Sequence, residues 1–138
     1  MKNQSDQGAY QILIDLTSEA LIKIGALGNI YFPAGCYVYT GSALHGLSAR
    51  VARHLRAEKS LHWHIDYLLT YEFSRIIQIH LFPSQLRLEC QLNQTMRKKL
   101  SAQPFAPGFG ASDCTNGCIS HISYLGKKSL SNKTPIKI

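Results

Sequence analysis

The sequence predicts an α+β domain, a mixed sheet flanked by helices. Three observations predict it. Ala9 to Leu16, AYQILIDL, alternates Tyr10, Ile12, Ile14 and Leu16 on one edge, and Ser74 to Phe82, SRIIQIHLF, is strongly β-branched; both read as strands. Leu47, Val51 and Leu55 recur every four residues, as do Leu88, Leu92, Met96 and Leu100, which is the period of a helix with one apolar side. No internal repeat and no long linker divides the 138 residues, so one domain with its own core is expected.

Taken in order, residues 1–7 are polar and read as a flexible N-terminus. The first strand follows, with Gly8 at its entry. Leu21 to Ile24 is a short second strand, and the glycines at 25 and 28 turn the chain into Ile30–Phe32, so residues 20–32 form a hairpin. The next strand ends at Tyr39, because Gly41 breaks it. A first helix runs from about Gly46 to Ala57, and Ser60 is a fair N-cap for a second, HWHIDYLLTY. The β-branched run from Ser74 reads as a central strand. Pro83 and Ser84 start a long helix to about Ser101, which Pro104 and Pro107 end. Ile119 to Leu125 is a last strand, and residues 126–138 form a basic, mobile tail.

No apolar run approaches the roughly 20 residues that a membrane span needs. The opening MKNQSDQG has no apolar signal core, so a cytoplasmic protein with no membrane partner is expected. The formal net charge is +7, with a pI near 9.4. That balance favours an anionic partner, of which nucleic acid is the commonest. The basic residues gather at Arg50, Arg53 and Arg56, at Arg97, Lys98 and Lys99, and from Lys127 onwards. Without a secretory signal, Cys36 and Cys90 read as reduced and structural.

The stretch from Gly35 to Arg56 reads as a site. A strand, a small polar turn and a helix bring Tyr39 near Arg50 and His54, which lie four residues apart on one helix face. Arginine suits phosphate because its planar fork donates two parallel hydrogen bonds. Histidine carries a proton near neutral pH, and tyrosine offers a hydroxyl that donates or accepts.

With Gly8-Ala9-Tyr10, Tyr39-Thr40-Gly41, Arg50, His54 and Glu89 in this order, the chain resembles the GIY-YIG nuclease superfamily. It is most similar to an uncharacterised branch, sometimes fused to DNA-repair glycosylases, in which the tracts YVYTGSAL, RHLR, HWHIDYLL, ECQL and FGASDC recur. The resemblance covers roughly residues 8–125. It implies a small, mainly antiparallel sheet flanked by helices, with the hairpin as an addition between the two motif strands. It implies a DNA endonuclease using one divalent cation, Mg²⁺ or Mn²⁺. Tyr10 would be the base or the hydroxyl that positions the nucleophile, and Tyr39 a supporting hydroxyl. Arg50 would bind phosphate, His54 would be the runner-up for taking the proton, and Glu89 would hold the metal. The alternative is a catalytically weak nucleic-acid-binding module acting with a DNA-repair partner. The chain departs from the superfamily pattern in five places. The first tripeptide has Ala9, the second has Thr40 where isoleucine is usual, the gap from Tyr10 to Tyr39 is long, Arg50 falls one residue late, and Asn93 comes too soon after Glu89 for the usual asparagine.

Two further clusters bear on chemistry. Arg53, Arg56, His62 and His64 are candidates for nucleic-acid contact; on a helix His62 and Asp66 would lie close enough to hydrogen-bond, and Trp63 would cover the first helix. Asp113, Cys114, Cys118 and His121 carry a C-x3-C-x2-H spacing. Zinc takes such ligands but is usually four-coordinate, so a fourth would come from elsewhere, Cys90 or His62 being the candidates. A buried pair of thiols is the commoner outcome, and the expectation is that Cys114 and Cys118 are reduced and metal-free. The charge itself generates a test. DNA affinity is expected to fall steeply from low to moderate salt, as counterion release requires. An unchanged binding constant in a fluorescence-anisotropy titration would remove nucleic acid as the partner.

Overall fold

The computed structural model describes residues 6–56, 59–86, 88–110 and 118–127. Asp113 and Cys114, and the tail beyond Lys127, therefore lie outside the described residues. The architecture is α+β. Strands β1 (Gly8–Leu16), β4 (Gly35–Ala43), β5 (Ser74–Pro83), β6 (Gln103–Pro104) and β7 (Ile122–Gly126) form one sheet in the order β5-β1-β4-β7-β6. Every pairing in it is antiparallel, so the expected mixed sheet is wholly antiparallel. Strands β2 (Ala20–Lys23) and β3 (Asn29–Phe32) form the added hairpin, joined through a 3-10 turn at Gly25–Leu27. Helices α1 (Leu47–His54), α2 (His64–Leu69) and α3 (Glu89–Leu100) flank the sheet. No described helix is long and apolar enough to cross a membrane.

The alternation in β1 places Tyr10, Ile12, Ile14 and Leu16 in the main core with Phe32, Tyr37, Tyr39, Ile65, Leu68 and Phe109. The intervening Leu13 is also buried, packed with Val38 and Met96 under α3. Both sheet faces are thus covered near β1, and Gln11, wholly buried, donates from Nε2 to Thr40 Oγ1 at 3.1 Å. The run Ser74–Phe82 is a sheet edge and not a central strand, since β5 pairs with β1 alone. Its residues are mostly half-buried, and β-branching marked strand type but carried no information on its place in the sheet.

Gly41 does not end its strand. β4 continues to Ala43, and Gly41 stands opposite Tyr10 in the β1–β4 register. A Cβ built on Gly41 would lie 2.5 Å from the Tyr10 hydroxyl and 2.6 Å from Cζ, so the missing side chain is the space the tyrosine ring fills. Gly8 is constrained in the same way by backbone, because a Cβ there would strike Phe82 O.

The helices start and stop later or earlier than their sequence patterns. Helix α1 ends at His54, so Leu55 sits beyond it at 59% exposure, and His54 takes the buried position on the helix face. Its start is held from a distance: Leu47 N–H donates to Asp6 O, and Ser48 N–H donates to the Asp6 carboxylate at 3.1 Å. Asp6 and Gln7, expected in a flexible terminus, are therefore tied down; Gln7 O accepts from Ser84 N–H. Helix α2 begins at His64, not near Ser60, because Asp66 reaches back to accept the N–H groups of His62 and Trp63 at 2.9 and 2.8 Å. Leu61 is consequently exposed. Helix α3 begins at Glu89, five residues after Ser84; of the expected stripe Met96 is buried, while Leu88, Leu92 and Leu100 are half-buried and Cys90 and Asn93 take the other buried positions. The last strand extends to Gly126, which the sequence assigned to the tail.

Because the Tyr10 ring occupies the Cβ position of residue 41, Gly41→Ala is expected to destabilise the fold by about 1–3 kcal/mol through overpacking. Urea unfolding would measure this. In a double-mutant cycle with Tyr10→Ala, most of the penalty should vanish.

Candidate functional site

The two motif tripeptides meet through strand pairing. Full antiparallel register between β1 and β4 sets Tyr10 against Gly41 and Ile12 against Tyr39, so both tyrosines rise from the same sheet face, and helix α1 packs above them. The Tyr10 hydroxyl lies 2.7 Å from His54 Nε2. Tyr10, His54 and Tyr39 are 2%, 1% and 7% exposed. Their rings form one aromatic cluster, with centroids 5.3 Å apart for Tyr10–His54 and 6.3 Å for Tyr10–Tyr39. Burial pushes both tyrosine hydroxyls well above their ordinary value, Glu89 and Asp66 push the same way, and Arg50 opposes them. Both are neutral at pH 7. Burial, reinforced by Lys59, Arg53 and Arg50, pushes His54 down to about 4, so its imidazole is neutral as well.

Arg50 stands at the open edge of this cluster. Its Nη1 donates to Ser42 O at 2.6 Å, and it lines a pocket of about 390 Å³ with Ser42, Leu44 and His45. Arg50 Cζ and Arg53 Cζ lie over the Trp63 ring at 4.6 and 4.4 Å from its centroid. Arg53 is otherwise committed. Its two terminal nitrogens donate to the two Asp66 oxygens at 2.8 and 3.0 Å, and Nη2 also donates to Ser60 O. Burial alone would raise the Asp66 carboxyl, but Arg53 and the N–H groups of Trp63 and His62 outweigh it and hold the group below its ordinary value. His64 is engaged too, accepting from Gly110 N–H at Nδ1. Arg56 and His62 are exposed.

Glu89 enters from α3. It is half-buried, and its Oε2 lies 3.8 Å from His121 Nδ1. The same helix places Asn93 Nδ2 at 2.8 Å from Ser120 O, so this asparagine braces the entry to β7. Of the residues singled out in the sequence, Tyr10, Tyr39 and His54 form one buried cluster, and both Arg50 and Glu89 act on the ionisation of the two tyrosines. Arg53 and His64 spend their hydrogen bonds inside the protein. Trp63 and Asp66 are the residues whose roles the sequence left open. Trp63 carries two guanidinium groups, and Asp66 neutralises one of them. The only sequence signal was the tract HWHID, whose spacing suggested a His62–Asp66 contact; that contact is made by the backbone N–H of His62 and not by its ring.

The His54 value sets a pH dependence. Its folded pKa lies below the unfolded value, so the unfolded chain binds more protons and stability falls as pH drops. The loss should begin near the ordinary histidine value of 6.5 and run down to about 4. It should total about 3 kcal/mol from this group. Urea midpoints across that range would measure it, and His54→Gln should flatten the slope.

No curated protein and no solved structure matches the chain. One family does match, over residues 9–137, which takes in Tyr10, the second tripeptide, all three helices and most of the C-terminal tail. The chain belongs to the family described as Domain of unknown function DUF123.

Proposed function

We propose that this protein is a divalent-metal-dependent DNA endonuclease that hydrolyses phosphodiester bonds, on the GIY-YIG plan that its motif residues resemble. The observation that carries this reading is the cluster of Tyr10, Tyr39 and His54, with Arg50 one helical turn before His54 at the adjoining pocket. Arg50 beside its pocket is placed to receive a phosphate and to neutralise charge that grows in the transition state. Glu89 offers one hard carboxylate, and its side chain is 19% exposed, which suits Mg²⁺ or Mn²⁺, ions that keep several waters and take few protein ligands. When bound, such a metal would polarise the phosphoryl group and stabilise the departing oxygen.

Tyr10 is not a phenolate base at rest, because burial keeps its proton on. Its hydroxyl would instead orient the attacking water, and the 2.7 Å hydrogen bond to the neutral His54 would give the proton a nitrogen to move to when Nε2 is the acceptor. Tyr39 supports this pair from the adjoining strand. The exposed Arg56 and His62 extend the basic face along which DNA would run. Reduced thiols at Cys36, Cys90 and Cys118 suit a cytoplasmic setting. One observation favours the binding-module alternative, with a DNA-repair partner: Tyr10 is only 2% exposed, so a water must reach a nearly closed hydroxyl.

Cleavage of single-stranded, duplex and branched DNA with Mg²⁺, Mn²⁺ or EDTA separates the two. For an endonuclease, Glu89→Gln should abolish metal-dependent cleavage while DNA affinity in EDTA stays within about twofold, since a single charge has gone. Arg50→Ala should weaken both. Undiminished cleavage by Glu89→Gln rejects the mechanism. A wild-type chain that binds every DNA and cuts none is the module.

A further inference from the structure

We infer that Cys90, Cys118 and His121 bind a zinc ion at the junction of α3 and β7. The thiol sulfurs and one imidazole nitrogen of these residues all lie within 4.8 Å of one another. Cys118 and His121 lie three residues apart in the segment that enters β7, and Cys90 comes to them from the first turn of α3. Cys90 Sγ is 3.6 Å from His121 Nε2. In a tetrahedral site with Zn–S near 2.3 Å and Zn–N near 2.0–2.1 Å, adjacent sulfur and nitrogen ligands stand about 3.6 Å apart. The spacing is that of two ligands on one ion.

The other ring nitrogen is arranged to match. His121 Nδ1 faces Glu89 Oε2 at 3.8 Å. A carboxylate on the far nitrogen of a zinc-bound histidine fixes the tautomer that carries its proton there and turns the Nε2 lone pair towards the metal. Two thiolates and an imidazole form a soft donor set that selects zinc over the hard cations suited to a lone carboxylate. Burial fits as well. Cys90 is 8% and His121 3% exposed, while Cys118 is half-buried and leaves a path for the ion. The described residues supply three donors, so the fourth position belongs to water or to a donor outside them. The sequence offers Cys90 or His62 as an added zinc ligand and favours metal-free thiols at Cys114 and Cys118; folding brings Cys90, 28 residues upstream of Cys118, to the same corner as Cys118 and His121.

The ion would have a structural consequence at the candidate site. His121 O accepts from Thr40 N–H at 2.9 Å, one residue from Tyr39, and His121 N–H donates to Phe109 O. Fixing the His121 ring therefore fixes the β4–β7 edge and the carboxylate of Glu89 together. This inference shares Glu89 with the nuclease reading but none of the three zinc ligands, and its test needs no DNA.

The full chain, purified under reducing conditions without chelator, should carry stoichiometric zinc by plasma mass spectrometry. After exchange into Co²⁺, it should show thiolate-to-cobalt charge transfer and the strong d–d bands of a tetrahedral site. Cys118→Ser, at the most exposed ligand, should lose the stoichiometric metal and most of the charge-transfer intensity. Glu89→Gln should keep the cobalt spectrum but weaken zinc affinity about 10- to 100-fold in a chelator competition. A wild-type chain that holds no zinc after reconstitution and desalting overturns the site, as does a Cys90–Cys118 disulfide found by peptide mapping. Equal zinc content in wild type, Cys118→Ser and His121→Asn overturns it too.

Discussion

The Tyr10 ring lies against Gly41 across the β1–β4 pair, and its hydroxyl meets His54 Nε2 at 2.7 Å. Two strands and one helix are registered by that contact. A slip of one residue between β1 and β4 would put a side chain where the ring sits and turn Tyr10 to the other sheet face. The same contact fixes the rotation of α1, because His54 must face inward to reach the hydroxyl. Arg50, one turn earlier, is then carried to the strand end beside Ser42. The arginine is thus positioned by a buried tyrosine–histidine bond that it does not itself make.

Placing two arginines on one side of a short helix concentrates positive charge, and the protein answers it with one buried carboxylate. Asp66 accepts from Arg53 twice and from two backbone N–H groups, which fills its acceptor sites while it is wholly buried. A buried charge without such partners would be costly. The same bonds cap α2, so the ion pair and the helix start are one structure. Arg53 is consumed by this arrangement. Arg50 shares only Trp63 with it and keeps its guanidinium at the pocket.

Helix α3 covers the opposite face of the sheet through Met96 on Leu13 and Val38, yet its first turn reaches the same end as α1. What holds it there is the entry to β7. Ser120 O accepts from Asn93 Nδ2 at 2.8 Å and from Arg97 Nη2 at 2.9 Å, and His121 faces both Glu89 and Cys90. The candidate site is consequently assembled from both sheet faces.

Local pattern alone determined most elements of this protein, the short β6 excepted. Period-two alternation gave β1, β-branching gave β5, the paired glycines gave the β2–β3 hairpin, and four-residue recurrence gave helices α1 and α3, because these signals depend only on near neighbours along the chain. The candidate residues Tyr10, Tyr39, Arg50, His54 and Glu89 were legible for a similar reason, as residue types at set positions in short tracts. Element ends were not legible, since they were decided by distant partners: Asp6 at the start of α1, Tyr10 opposite Gly41 within β4, and Asp66 folding back to begin α2. The edge position of β5 was hidden too, because strand propensity does not encode neighbours. Only the tertiary structure decided that Arg53 is spent on Asp66, that Tyr10 is closed over by His54, and that Cys90 joins Cys118 and His121. Each depends on residues far apart in sequence meeting at one end of a sheet, and no local spacing records that distance.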